Sequence, residues 1–182
     1  GGGDADGGGG GADGGGGAAA FEAGDLVISE LMINPDAVAD ESGEWIELYN
    51  NSGRALDLDG LVLSDEGVDT WILDGGVRVA AGDWVVLCAD TAPSANGGTA
   101  CDGAFNYNTW GEGFALANAA DEVLLSTGEG LLIDRVSYLD GTVQAGESLS
   151  LDPDKLNASA NDSPGAWCSR VAPTPGRANP DC

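Results

Sequence analysis

Short runs of apolar residues, several of them alternating with polar residues, occupy the chain from Asp25 onward. In the run from Glu44 to Tyr49, Ile46 and Leu48 fall on one face, while Trp45, Glu47 and Tyr49 fall on the other. A period of two residues is typical of a β-strand with two distinct faces. Further strand-like runs lie at residues 26–33, 55–63, 70–73, 83–87, 113–116, 122–125, 131–138 and 147–151.

Turn-forming residues separate these runs, for example Asp74-Gly75-Gly76, Asn96-Gly97-Gly98 and Asp140-Gly141. Glycine and asparagine tolerate the positive φ angles that tight turns require. No segment keeps a helical period for more than about two turns. The pattern therefore predicts an all-β fold, an antiparallel β-sandwich with about eight to ten strands.

The first twenty residues differ from the rest, because they are almost entirely glycine and alanine. Such a segment cannot bury enough apolar surface to offset the entropy of ordering it. We therefore predict a flexible tether at residues 1–24 and one folded domain at residues 25–182. As a glycine-rich coil, the tether would span on the order of 25 Å. We expect a targeting segment, with a lipid anchor as one hypothesis, to lie outside this sequence.

The charge balance excludes several classes of function. Six basic residues stand against 31 acidic ones, which gives a formal net charge of -25, and the sequence has no histidine. Nucleic-acid binding depends on Lys and Arg that neutralise phosphates, so we predict no nucleic-acid partner.

The longest apolar runs have only the length of a strand, so we predict no direct insertion into a membrane. Without histidine, catalytic triads lack their usual base, and we predict that the protein is not an enzyme.

Four cysteines, Cys88, Cys101, Cys168 and Cys182, form no C-x-x-C pair. An even number of cysteines without histidine favours two disulfides and an oxidising compartment over a metal site. Three pairings are possible, and position favours the local one, Cys88–Cys101 with Cys168–Cys182. Each bridge would contribute about 3 kcal/mol by restricting the unfolded chain. The alternative is four buried, reduced thiols.

An ordered series of segments resembles the lamin tail domain in its bacterial extracellular form. Residues 44–53, with the sequence EWIELYNNSG, carry most of the resemblance. The other matching segments are residues 26–35, 56–65, 79–87, 114–118, 121–125, 136–138, 146–149 and 174–179. The resemblance implies an immunoglobulin-like β-sandwich that serves as an interaction or structural module. The cysteines, the acidity and the insertion at residues 88–105 depart from nuclear members of the family, which puts nuclear functions in doubt.

Calcium is the one cofactor that we keep as a hypothesis, because carboxylates are hard oxygen ligands. The candidate ligands are Asp57, Asp59, Asp65, Glu66 and Asp69, none of which matches an EF-hand loop. The alternative is that these residues are solvated strand ends and that no cofactor binds.

Aromatic residues supply a second candidate site. Aromatic rings give large contact areas at low entropy cost and can stack on sugars or on protein. The alternative is that some of these rings belong to the core. The candidates for a recognition surface are Phe105, Tyr107, Trp110, Trp45 and Tyr49.

The sequence as a whole predicts a non-enzymatic extracellular module, displayed on a bacterial cell surface, with a protein or glycan partner. One alternative is a calcium-dependent or glycan-binding adhesion module. A second is an extracellular hydrolase domain that uses a pair of carboxylates. The sequence leaves the oligomeric state undetermined.

Overall fold

Strands make up most of the regular structure in a computed structural model that describes residues 20–108, 111–142 and 144–182. Within this part of the chain there is one short α-helix, α1 (Asp40–Gly43), and there are 3-10 turns at Pro153–Lys155 and Pro164–Ala166. The strands are β1 (Leu26–Met32), β2 (Trp45–Asn50), β3 (Leu56–Asp57), β4 (Val62–Ser64), β5 (Thr70–Ile72), β6 (Arg78–Val79), β7 (Trp84–Cys88), β8 (Gly103–Ala104), β9 (Asp121–Ser126), β10 (Leu132–Tyr138), β11 (Ser148–Leu151) and β12 (Trp167–Val171).

Two large sheets form a sandwich. The first has six strands in the order β12-β11-β1-β2-β7-β8, and the second has four in the order β10-β9-β4-β5. A small third sheet pairs β3 with β6. All pairs are antiparallel except β7 with β8, which run parallel. This arrangement confirms the predicted all-β, immunoglobulin-like class, and the described residues form twelve strands where eight to ten were expected.

The main core lies between the two large sheets. Alternate residues of β1, β2 and β7 point inward, among them Ile28, Ile46 and Leu87, and meet Leu63 and Val123 from the second sheet. Burial of this apolar area is the main stabilising contribution, at roughly 25 cal/mol for each Å² removed from water. The predicted division of β2 into two faces is confirmed, because Ile46 and Leu48 both belong to this core.

Two smaller apolar clusters cover the opposite face of the six-stranded sheet. One contains Met32, Trp45, Val86 and Cys88, with Cys101 packed against it. The other contains Val27, Leu151 and Ala166, with partly buried hydrophobic residues around it. As a result every residue of β1 is buried. The loop after β7, the 3-10 turns and the C-terminal segment supply this second covering.

A buried aspartate joins the two sheets where both are irregular. The pairing of β1 with β2 shifts register between Ile28 and Glu30, and the pairing of β10 with β9 shifts between Leu132 and Asp134. The side chain of Asp134 accepts hydrogen bonds from the Ile28 backbone at 2.7 Å and from the Asn161 amide at 2.7 Å. Burial raises the pKa of Asp134 to about 7. A β-bulge leaves backbone groups without a partner on the neighbouring strand. Here the Asp134 carboxyl group, which comes from the other sheet, accepts a hydrogen bond from one of them, the Ile28 N–H.

Both local disulfides are present, Cys88–Cys101 and Cys168–Cys182. The first closes the loop after β7, and the second fastens the end of the chain to β12. The predicted pairing is therefore confirmed.

Several strand predictions were wrong or missing. Residues 113–116 form only isolated bridges, Thr70 with Gly113 and Tyr107 with Phe114, because Gly113 adopts φ = 118° against the Asn106 backbone. The sequence pattern did not predict β6, β8 or β12, whose short or mixed runs lack a clear period of two.

The predicted tether falls mostly outside the described residues, which begin at Ala20. Phe21 packs against the main core, and the Gly24 backbone donates to the Ile133 carbonyl at 2.8 Å. No helix in the described residues is long and apolar enough to cross a membrane.

Candidate functional site

Two buried glutamates lie side by side on the covered face of the six-stranded sheet. Glu30 on β1 is opposite Glu47 on β2, and both are fully buried. Glu30 accepts hydrogen bonds from Ser148 at 2.5 Å and Ser150 at 2.9 Å, both on β11. It also accepts from the backbone and the hydroxyl of Thr174 at 3.0 to 3.2 Å. A charge that is removed from water needs such donors to be tolerated.

Glu47 binds the same C-terminal segment two residues further along the chain, at Gly176. One carboxyl oxygen accepts from the Ser29 hydroxyl at 2.7 Å, and the other accepts from the Gly176 backbone at 2.7 Å. Gly176 has φ = 78°, a left-handed conformation that favours glycine. Burial raises the pKa of Glu47 to about 8, and the neighbouring Glu30 adds to this increase.

Asn179 completes the attachment of the chain end. Its amide donates to the Ser29 carbonyl at 2.7 Å and to the Leu151 carbonyl at 3.0 Å. Residues 174–179, which we call the C-terminal strap, therefore bind the sheet through hydrogen bonds that are buried or half-buried. The strap and its disulfide close this face to solvent.

The face of the four-stranded sheet that points away from the core is open to solvent. It carries Val62 and Ser64 of β4, Ile72 of β5, Leu124 of β9 and Ser137 of β10, in rows set by the strand register. Ile72 and Ser137 are exposed, and the others are half-buried. Arg135 lies opposite Leu124 and Glu122 lies opposite Ser137 on the same face, so the face offers a partner aliphatic, hydroxyl and charged groups.

A concentration of carboxylates occupies one end of the sandwich, around α1, the β4–β5 turn and the start of β9. We call it the acidic pole. Three successive backbone amides bind three of its carboxyl groups: Ala115 donates to Asp69 at 3.1 Å, Leu116 to Glu44 at 2.8 Å and Ala117 to Asp121 at 2.7 Å. The members of the pole are Asp40, Glu41, Glu44, Asp65, Asp69, Asp121 and Glu122.

Glu44 is the buried member of the acidic pole. It has no exposed surface, and its Oε1 atom has no hydrogen-bond partner. Burial raises the pKa of Glu44 to about 9, with further increases from Asp40, Asp121 and Asp69. The carboxyl group therefore holds a proton at neutral pH. Burial and the negative field of the same pole raise the pKa of Tyr107 to about 12.

The predicted calcium ligands do not come together. Asp57 pairs with Arg78 at 2.8 Å, and Asp59 accepts from the Gly76 backbone at 2.9 Å. At the other end of β4, Asp65 caps its own turn and Glu66 pairs with Arg135 at 3.0 Å. Asp69 accepts from Asn108 and Ala115. Among the described residues, no three His, Cys, Asp or Glu side chains form a group that could hold a metal ion.

The predicted aromatic surface divides between core and rim. Phe105 is 1% exposed and meets Phe114 edge to face, and Trp45 is 2% exposed in the outer cluster. The core alternative therefore applies to both, since neither ring is available for recognition. Tyr49 and Tyr107 are half-buried, and Tyr49 packs on Trp84 with ring centroids 5.2 Å apart. Trp110 lies outside the described residues.

An open cleft of about 1000 Å³ bears on the hydrolase alternative, because Asp57, Asp59 and Glu129 line it. A glycosidase needs one carboxyl group that stays protonated as a general acid. Hydrogen bonds from the Asp59 backbone and Arg78 lower the pKa of Asp57, so this residue is ionised. Asp57 is therefore unsuited to the role of general acid.

The fold defines the class of protein, an immunoglobulin-like β-sandwich whose polar sites are built around buried carboxyl groups. The Lamin Tail Domain family model matches residues 19–140, and the chain belongs to this family. No curated protein matches the sequence. The family match ends before β11, β12 and the C-terminal strap, so these elements extend beyond the matched region.

Proposed function

We propose that the chain is a non-enzymatic binding or structural module of the lamin tail type, displayed outside a bacterial cell on its glycine-rich N-terminal segment. The observation that carries this proposal is the placement of the two disulfides. Each fastens a covering of the six-stranded sheet, the loop at Cys88–Cys101 and the chain end at Cys168–Cys182. A fold that depends on such links is suited to an oxidising compartment.

The open face of the four-stranded sheet supports a binding role. Its neighbour, the covered sheet, has no free face to offer, whereas Ile72 is 61% exposed beside half-buried Val62. The partner is a protein or a glycan at the cell surface. An anchor, for which a lipoprotein modification is one candidate, would be joined to the glycine-rich segment.

Lys155 provides a sharp test of surface display, because it is the single lysine of the sequence and it is exposed. Intact cells that produce the full protein are treated with a membrane-impermeant amine reagent, and the protein is then purified. Labelling of Lys155 in intact cells, absent in a Lys155→Arg control, is the expected result. Labelling only after cell lysis would contradict surface display. Thiol alkylation on a non-reducing gel should find all four cysteines oxidised in the same sample.

A further inference from the structure

We infer that the side-chain oxygens of Asp134, Asn161 and Asp162 form a binding site for a calcium ion. These residues meet where the segment between β11 and β12 lies against β1 and β10. The Asn161 amide donates to the Asp134 carboxyl group at 2.7 Å, and Asp162 is the next residue in the chain. None of the three belongs to the calcium ligands predicted from the sequence.

Two buried oxygen atoms in this place have no hydrogen-bond partner among the described residues. They are Oδ1 of Asp134 and Oδ1 of Asn161, and the two residues are 3% and 1% exposed. In the same part of the chain, the other buried side-chain polar atoms without a partner, Glu44 Oε1 and Trp71 Nε1, lie on separate elements. A buried acceptor without a donor is costly. Two such oxygens on hydrogen-bonded neighbours therefore point to a bound group.

The free atom of the Asn161 amide is its oxygen. The amide nitrogen donates to Oδ2 of Asp134 at 2.7 Å and to the Ile28 carbonyl at 3.4 Å. Oδ2 of Asp134 also accepts from the Ile28 N–H at 2.7 Å. An exchange of the amide oxygen and nitrogen would therefore turn an acceptor toward two acceptors. The atom that remains free can only accept, and it needs a donor or a cation.

An open cleft of about 390 Å³ borders these groups, and Asp134, Ser159 and Asp162 are among the residues that line it. The carboxyl group of Asp162 is exposed and accepts no hydrogen bond from a described residue. Burial raises the pKa of Asp134, and the negative charge of Asp162 raises it further, so the two carboxyl groups lie close together. Solvent in the cleft can supply the remaining ligands of an ion.

The chemistry of this set favours calcium. All three free groups are oxygens, and a single water molecule has only two hydrogens to donate to them. Carboxylate and amide oxygens are hard ligands, and calcium takes about six to eight of them in irregular arrangements, whereas magnesium demands a near-ideal octahedron. Because one of the three ligands is an amide, the site agrees with the lack of a group of three Asp, Glu, His or Cys side chains among the described residues.

Trp167 provides a spectroscopic signal beside the site, because its Nε1 donates to the Asn161 carbonyl at 2.7 Å. Terbium occupies calcium sites and emits light when a neighbouring indole is excited. We expect the full chain to give terbium emission on excitation of tryptophan, and calcium to displace the terbium. Trp167→Phe should abolish most of this emission while the calcium affinity stays the same.

The decisive experiment compares Asp162→Asn with Asp154→Asn, since each variant removes one exposed carboxylate from the same segment. We expect the first to weaken calcium and terbium binding about tenfold and the second by less than about twofold. Calcium should also raise the midpoint of thermal unfolding, relative to a chelator, for the unmodified chain and for Asp154→Asn. This rise should be much smaller for Asp162→Asn. Circular dichroism checks that all variants are folded.

Equal weakening in the two carboxyl variants would overturn the inference, because the ion would then respond only to surface charge. Terbium emission that is unchanged in Trp167→Phe, or no binding to the unmodified chain, would overturn it as well. None of these results affects the labelling of Lys155, so failure of this inference is distinguishable from failure of surface display.

Discussion

The outer faces of the two large sheets differ in a way that separates stability from recognition. On the six-stranded sheet, Trp45 and Glu47 alternate with core residues, yet they are as buried as the core itself. On the four-stranded sheet, Val62 and Leu124 occupy the equivalent outward positions and remain accessible. The same alternation of residues thus serves a sealed face and an open face.

The difference comes from chain that lies outside both sheets. The Cys88–Cys101 loop, residues 152–166 and the C-terminal strap all lie on one side. Hydrogen bonds from the strap satisfy the carboxyl groups of Glu30 and Glu47, which would otherwise make the covering unfavourable. Four experiments test this comparison, beginning with the largest expected effect.

Truncation of an aromatic residue on the sealed face should be far more costly than truncation of an aliphatic residue on the open face. We expect Trp45→Ala to lower the free energy of unfolding by about 4 kcal/mol, because it leaves a cavity under the loop. We expect Ile72→Ala to lower it by less than about 1 kcal/mol, since Ile72 is already exposed. Urea denaturation measures both. Similar losses in the free energy of unfolding for the two variants would show that the apolar residues on the sealed face contribute no more to stability than residues on the open face.

Glu30→Gln tests the attachment of the strap. The amide keeps one acceptor oxygen and places a donor against the donors of Ser148 and Thr174. We expect a loss of about 3 kcal/mol. The matched control Glu122→Gln, at the edge of the open face, should change stability by less than about 0.5 kcal/mol. If Glu30→Gln were as mild as the control, the strap would not depend on the buried carboxyl group.

Removal of each disulfide separates the two coverings. We expect Cys168→Ser/Cys182→Ser and Cys88→Ser/Cys101→Ser each to lower stability by about 2 to 3 kcal/mol. Amide hydrogen exchange distinguishes them: only the first should increase exchange at Thr174 and Gly176. Unchanged protection at these two amides would mean that hydrogen bonds alone hold the strap.

Stability should fall as the pH rises, because buried carboxyl groups with raised pKa values keep their protons in the folded state. This contribution is fully present below the ordinary pKa of about 4.5 and is lost as the pH rises toward about 8 for Glu47. We expect the free energy of unfolding of Glu47→Gln, relative to that of the unmodified chain, to rise between about pH 5 and pH 9. Thermal unfolding in a pH series measures this difference, and a constant difference would contradict the raised pKa.

The sequence predicted the fold class and the disulfides, because the period of two and the cysteine spacing are local signals. It did not predict the second covering. The sequence of β2 showed only that Glu47 faces away from Ile46 and Leu48, and it did not show that this face is covered. Trp45 and Tyr49, on the same face as Glu47, were the available signal that this face is covered.

The acidic pole illustrates the same limit. Asp65 and Asp69 were grouped with Asp57 and Asp59 as calcium ligands because they are near in sequence. In the fold, β4 separates the two pairs, and Asp69 instead joins Glu44 and Asp121, which come from distant parts of the chain. Burial of Glu44 depends on packing of those parts, which no local pattern records.

The position of β1 between β2 and β11 has a consequence for the order in which the chain can fold during synthesis. β1 leaves the ribosome early, but its second partner strand begins only at Ser148, and Glu30 meets Thr174 across 144 residues. Until that late part of the chain is made, the edge of β1 that later pairs with β11 has no partner. The Glu30 carboxyl group, which is buried in the folded domain, also lacks its hydrogen bonds. Unpaired edges of this kind favour aggregation. The domain should therefore complete its fold only after its last strand is made, with long-range pairing as the slow step. Passage to an oxidising compartment before folding would fit this order, since the Cys168–Cys182 bridge also forms last along the chain.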